Sequence, residues 1–268
     1  MKISKKYILL ILIIISVILL LFGKTVNENI SSMDNITVVS GYWNIKGKHK
    51  HDTYDNWFKN TLNINQRYIF FCDEKDIEYI KSFRNDYETE FINHPISNFY
   101  SLQYATDNWI DSLHSPSKEI SMIWHEKINM LKMAKDYDIA QYNSTTEFYV
   151  WIDSGITPYR DKSPPDTRLN LKDIHSLPHD KVSYSQESGR KIDGVTGGCL
   201  IIHHSIIDHI HKLYYQFLDE CNKLHTTDTY CGADQQILTD IRDEYPDLFY
   251  KMSTGWGGNL EDLYNKSM

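Results

Sequence analysis

From residue 36 onward, short apolar runs recur between segments of helical periodicity. Ile36–Val39, Tyr68–Cys72, Glu90–Asn93, Phe148–Ile152, the Gly-Gly-containing run Thr196–His204 and Leu248–Met252 read as strands. Between them, Tyr54, Trp57, Phe58, Thr61 and Leu62 fall on one helical face behind Asp52 as a cap, and Asp76–Tyr87 continues the helical pattern. A third helix opens at Ser115-Pro116 and buries Ile120, Ile123, Trp124, Ile128 and Leu131. A fourth follows Ser205 and Asp208, a capping-box pair, with Ile206, Ile210, Leu213, Tyr214, Phe217 and Leu218 as its stripe. A fifth begins at Asp234 and closes at Pro246. Strands alternating with helices predict an α/β fold with a mostly parallel central sheet. Asn98–Leu113 fits neither period, and the Pro-, Ser- and Asp-rich stretch Arg160–Gly194 reads as a long loop overhanging a site.

The N-terminus follows a different rule. Lys2, Lys5 and Lys6 precede about 16 apolar residues, slightly fewer than the roughly 20 of a typical span. Lysines ahead of the run keep the N-terminus cytoplasmic, and the small-residue pattern of a cleaved signal peptide is missing. The expected organisation is a cytoplasmic tail (1–6), a transmembrane signal anchor (7–23), a stem (24–35) and one domain (36–268) in a luminal, extracytoplasmic compartment. N-x-Ser/Thr sites at Asn29, Asn35, Asn143 and Asn265 agree with a glycosylating lumen. The net charge of -8 argues against a nucleic-acid binder. The four cysteines form no C-x-x-C pair; Cys221 and Cys231 flank a polar loop and are placed to pair, whereas Cys72 and Cys199 lie in apolar strands as buried thiols.

Candidate chemistry gathers where strands end. Asp153 follows Phe148–Ile152 and precedes Ser154-Gly155, the position where an open α/β sheet meets a ligand or a metal; an Asx turn is the plain alternative. Tyr42, Trp43 and Lys46 follow the first strand in a basic, aromatic loop suited to a base and its phosphates. Gly197 and Gly198 let backbone approach a ligand or a neighbouring strand. Asp234 sits where a helix N-terminus favours an acid. His125, Glu126 and Lys127 read as a polar helix face, and Arg190 and Lys191 as solvated charges within reach of a diphosphate. His203, His204, His209 and His211 match no standard zinc spacing.

Val38–Ile45, the Tyr54–Leu62 helix, Tyr68–Asp73, Ile123–Lys127, Tyr149–Gly155, Gly197-Gly198 and Gly232–Gln236 occur in an order that resembles HtrL/YibB-type proteins. That family is similar to nucleotide-sugar glycosyltransferases of the GT-A type. The resemblance implies a GT-A-like, Rossmann-like sheet and a hexosyltransferase-like activity. It also implies a nucleoside-diphosphate sugar donor, a glycan or protein acceptor, and commonly Mn²⁺ or Mg²⁺. Asp153 then matches the first acid of a D-x-D metal motif, with Gly155 in place of the second. Asp234 matches an acid near the acceptor or the transferred sugar, as general base or as hydroxyl ligand. The competing classes are a membrane-anchored binding protein that kept the fold and lost catalysis, and a metal hydrolase using Asp153 with His203 or His204.

Overall fold

A computed structural model describes residues 35–45, 51–84, 87–111, 115–169, 171–187, 193–224 and 230–265. The expected anchor, all of the stem except Asn35, Lys46, Arg190 and Lys191 lie outside the described residues. Among the described residues no helix is long and apolar enough to cross a membrane.

Seven strands form one sheet: β1 (Ile36–Tyr42), β2 (Tyr68–Cys72), β3 (Thr89–Asn93), β4 (Phe148–Ile152), β5 (Val182–Gln186), β6 (Val195–His203) and β7 (Phe249–Thr254). Their order is β3-β2-β1-β4-β6-β5-β7. Only β6 runs against the others, pairing antiparallel with β4 and β5. Chain order runs outward from β1 to β3 on one side and resumes at β4 on the other, so the carboxyl ends of β1 and β4 diverge. That switch point is where an open α/β sheet leaves a crevice for ligands.

Both sheet faces are covered, which is why β2 and β4 are apolar at every position rather than at alternate ones. Val39, Trp151, Leu200 and Ile202 face one cluster, completed by α3 (Lys118–Tyr142), α5 (Ile207–Lys223) and α6 (Asp234–Glu244). Val38, Val150, Ile152 and Ile201 face the other, under α1 (His51–Thr61), α2 (Ile77–Arg84), the short α4 (Leu171–Ile174) and α7 (Gly258–Asn265). The inferred strands and the first two helices are found within a few residues. The stretch from 160 to 194 is not one long loop, because it contains α4 and edge-proximal β5. Its polar composition hid β5, whose Ser183 and Ser185 are buried beside β6 and α7.

Two caps differ from expectation. Ser115 stands before α3 and bonds the Trp109 carbonyl at 2.6 Å, while Ser117 takes the cap position. A 3₁₀ turn over His204–Ile206 precedes α5, and Asp208 pairs with Lys135 instead of closing a capping box. Asn143 ends α3 in the left-handed region at φ 53°, a conformation Asn tolerates better than most residues. Cys221 and Cys231 form a disulfide; Cys72 and Cys199 are free and buried.

The largest departure is on α3. His125, Glu126 and Lys127 are 0%, 0% and 4% exposed, so they are no solvent face. Each has partners, as burial of polar groups requires. Glu126 accepts from the Tyr100 and Ser101 backbone N–H groups at 3.0 and 2.8 Å, fixing the irregular segment before α3. Burial pushes the His125 imidazole down to about 3, so it is neutral. It spans Tyr214 Oη at 2.7 Å and the Cys231 carbonyl at 2.9 Å. His125 thereby props the turn that leads into α6.

Candidate active site

Four elements converge beyond the carboxyl ends of β1 and β4. Asp153 is the first residue past β4, and its N–H donates to the Gly198 carbonyl of β6 at 2.9 Å. Asp234 opens α6. Between them rises Lys127 from α3. Its Nζ lies 3.0 Å from Asp153 Oδ1 and 2.9 Å from Asp234 Oδ2, and donates to the Gly197 carbonyl at 3.0 Å. Trp151 Nε1 donates to the same Asp153 oxygen at 2.8 Å. Burial alone would make the ammonium easier to deprotonate, but the two carboxylates outweigh it and hold Lys127 above the ordinary lysine value. Burial raises the Asp153 carboxyl, Lys127 opposes it and Asp234 reinforces it. The side chain of Asp153 is still 39% accessible, against 9% for Asp234 and 5% for Lys127, so Asp153 is the member that meets the cleft.

The glycines follow from this packing. A Cβ on Gly197 would stand 2.7 Å from Asp234 Cγ, and one on Gly198 3.1 Å from Ile156 Cδ1. No side chain fits under the ion cluster. Gly155, where a D-x-D motif has its second acid, faces the Trp57 ring: its Cβ would lie 2.7 Å from Cε3. The Arg160 guanidinium sits over the same indole at 3.9 Å, with Nε donating to the Gly155 carbonyl at 2.7 Å. An aromatic ring and a cation therefore occupy the ground of the missing acid. Ser154 pins the two strand ends together, donating to the Gly41 carbonyl at 2.9 Å.

Around this floor opens a cleft of about 940 Å³. Asp153, Asp234, Tyr42 and Trp43 all line it. The two aromatic residues differ from a base-stacking pair. Trp43 is 3% exposed, packs edge-on against Phe99 and donates Nε1 to the His94 carbonyl at 2.8 Å, so it builds the wall. Tyr42 packs against Tyr54 and Phe58, and burial pushes its hydroxyl up to about 12. The half-buried Tyr54, Trp57 and Trp124 and the 43% exposed Trp256 offer ring surface instead. Burial, followed by the nearby Asp153, raises the Tyr54 hydroxyl.

Sequence reasoning missed Lys127 and Arg160. Lys127 was visible in phase, since it follows Ile123 by four residues and Trp124 by three and so shares the buried stripe of α3. His203 and His204 do not join Asp153. His203 is paired with Phe148, at the opposite end of β4, about 16 Å away at 3.3 Å per strand residue. This removes the hydrolase arrangement. In the cleft, among the described residues, no group of three metal-ligating side chains comes together.

The residues define an α/β protein with a large cleft at its topological switch point and a buried acid–lysine–acid cluster as the floor. The sequence matches no protein-family model and no curated protein. Among solved structures it is similar to a glycosyltransferase involved in glycosylation of the major capsid of PBCV-1, with 15% identity, 83% of this chain and 82% of that chain covered, and a TM-score of 0.40. The glycosyltransferase GlyE of Streptococcus pneumoniae TIGR4 is similar at 13% identity over 86% of this chain and 46% of that chain, with a TM-score of 0.43. So is 4-diphosphocytidyl-2C-methyl-D-erythritol synthase from Anaerococcus prevotii DSM 20548, at 13% identity, 86% and 93% coverage and a TM-score of 0.41. Likeness this distant does not assign chemistry, which has to come from the cleft itself.

Proposed function

We propose that the chain is a GT-A-like glycosyltransferase of HtrL/YibB type, moving a sugar from a nucleoside-diphosphate sugar to a glycan or protein acceptor. The observation that carries this is the placement of Asp153, Lys127 and Asp234 together on the floor of the switch-point cleft. The cleft's volume lies at the upper end of the usual range for ligand sites. Tyr54 offers its ring to the base, and Arg160, stacked on Trp57, meets the diphosphate, a role that Lys46, outside the described residues, shares. Asp234 accepts a hydrogen bond from an acceptor hydroxyl. As that oxygen bonds to the anomeric carbon, the carbon–phosphate oxygen bond breaks, the nucleoside diphosphate leaves and Asp234 takes the hydroxyl proton. Lys127 holds both carboxylates in position throughout.

Mn²⁺ or Mg²⁺ fits only as a companion of the donor. Asp153 Oδ1 is taken by Lys127 and Trp151, leaving Oδ2 as its remaining oxygen. A single carboxylate oxygen with substrate phosphates is an ordinary set for such an ion. Bound there, it would neutralise charge on the leaving diphosphate. The N-terminal segment anchors the domain as a type II membrane protein, with the site in the lumen of the secretory pathway.

The test is thermal shift of the full-length protein in detergent against nucleotide sugars, with and without Mn²⁺. A donor at 100 times its Kd adds about 2.7 kcal/mol, or about 5–10 °C for a domain of this size. One nucleotide sugar should give this shift, and Asp153→Asn should lose it together with transfer. No shift with any donor, for a well-folded protein, would favour a binding protein that has lost catalysis.

A further inference from the structure

Across the sheet from the cleft, Glu147, His179 and His203 each direct one ligand atom to a common point, all within 4.8 Å of one another. They come from three separate places: the residue before β4, the turn before β5 and the last residue of β6. We propose that these three side chains bind a single divalent transition-metal ion, with Zn²⁺ the best fit. Two imidazoles and one carboxylate make a borderline donor set that suits Zn²⁺ over the harder Mg²⁺ and Mn²⁺. Three protein ligands leave a fourth position to water.

Several contacts already hold the three side chains together. The His179 and His203 rings stack at 4.2 Å and 7°; the 53% exposed His179 turns out of the stack on binding, because each imidazole lone pair lies in its own ring plane. Phe148 packs edge-on against both, at 5.5 and 5.2 Å. Glu147 Oε2 lies 2.8 Å from His175 Nδ1, while Oε1 faces His179 Nε2 at 3.5 Å. His203 Nδ1 lies 2.7 Å from Ser205 Oγ, the kind of acceptor a metal-bound imidazole uses for its remaining N–H. Binding through Nε2 puts the ring proton on Nδ1 and trades the 3.3 Å bond from the Ser205 N–H for that donation. The His204 N–H donates to the Glu147 carbonyl at 3.0 Å, so two of the three segments are already tied. The ion clamps the sheet end remote from the cleft.

The probe is Zn²⁺ added to metal-free full-length protein carrying no histidine tag, followed by calorimetry and thermal shift, with Mn²⁺ in parallel. One equivalent of Zn²⁺ should bind and raise Tm, and Mn²⁺ should not compete. His179 is 53% exposed, so His179→Ala keeps the fold while weakening Zn²⁺ binding at least about tenfold; Glu147→Gln should do the same. Asp153→Asn should bind Zn²⁺ as the wild type does, which separates this site from any cation in the cleft. Co²⁺ in place of Zn²⁺ should give a visible absorption band that His179→Ala abolishes. Wild-type affinity in both His179→Ala and Glu147→Gln, or no stoichiometric Zn²⁺ binding at micromolar metal, overturns the proposal.

Discussion

Replacing Lys127 by methionine removes a buried ammonium and leaves Asp153 and Asp234 facing each other across its place. The two oxygens it bridges are no more than about 6 Å apart, and two unit charges at that distance repel by about 3 kcal/mol at an effective dielectric near 20. Breaking a buried ion pair from one side costs about 3–5 kcal/mol in general, so the two estimates agree. For a domain of this size that is a fall in Tm of about 6–20 °C. The loss must also depend on pH. Burial and Asp234 already raise the Asp153 carboxyl, and Lys127 is what opposes them. Without the ammonium the folded-state value rises further above the unfolded one. A group raised in this way binds its proton more readily when folded, so its penalty is relieved in acid and grows as pH climbs through the raised value. Urea unfolding at pH 5 and pH 8 is the assay. Lys127→Met should lose much less at pH 5, and Lys127→Met/Asp234→Asn should recover part of the pH 8 loss. A loss below about 1 kcal/mol at pH 8, or equal losses at both pH values, would refute the account of a charge-coupled floor.

Two further outcomes are expected. Gly155→Asp restores a D-x-D sequence but drives its Cβ into Trp57; it should cost about 1–3 kcal/mol and add no Mn²⁺ affinity by calorimetry, and tighter Mn²⁺ binding without loss of Tm would contradict this. His125 is held neutral when folded, at about 3, whereas the unfolded chain protonates it near 6.5. The unfolded state therefore binds the extra proton, and acid should remove about 2 kcal/mol of stability by pH 5 through this residue. His125→Gln should flatten that part of the urea-unfolding profile, and an unchanged slope would show that His125 is not the group responsible.

The sequence by itself determined most of the sheet and both acids of the floor. β2 and β4 are uninterrupted apolar runs because helices cover both faces, and a run of that kind announces a strand without reference to anything distant. Asp153 was legible because it stands where such a run stops, and Asp234 because a helix start favours an acid. The tertiary structure alone decided what these acids do. Lys127 looks like any helix lysine until the end of β4 and the start of α6, both further along the chain, bring carboxylates to 3.0 and 2.9 Å from it. Gly155 reads as a lost metal ligand until α1 sets Trp57 against it and Arg160 stacks on that ring. β5 stayed hidden because Ser185 is satisfied by Thr196 of β6 and Asn259 of α7, partners no local pattern shows. Glu147, His179 and His203 have no motif spacing, since three different segments supply them. Local periodicity records which face a residue turns inward; which charge waits there is fixed only when the layers pack.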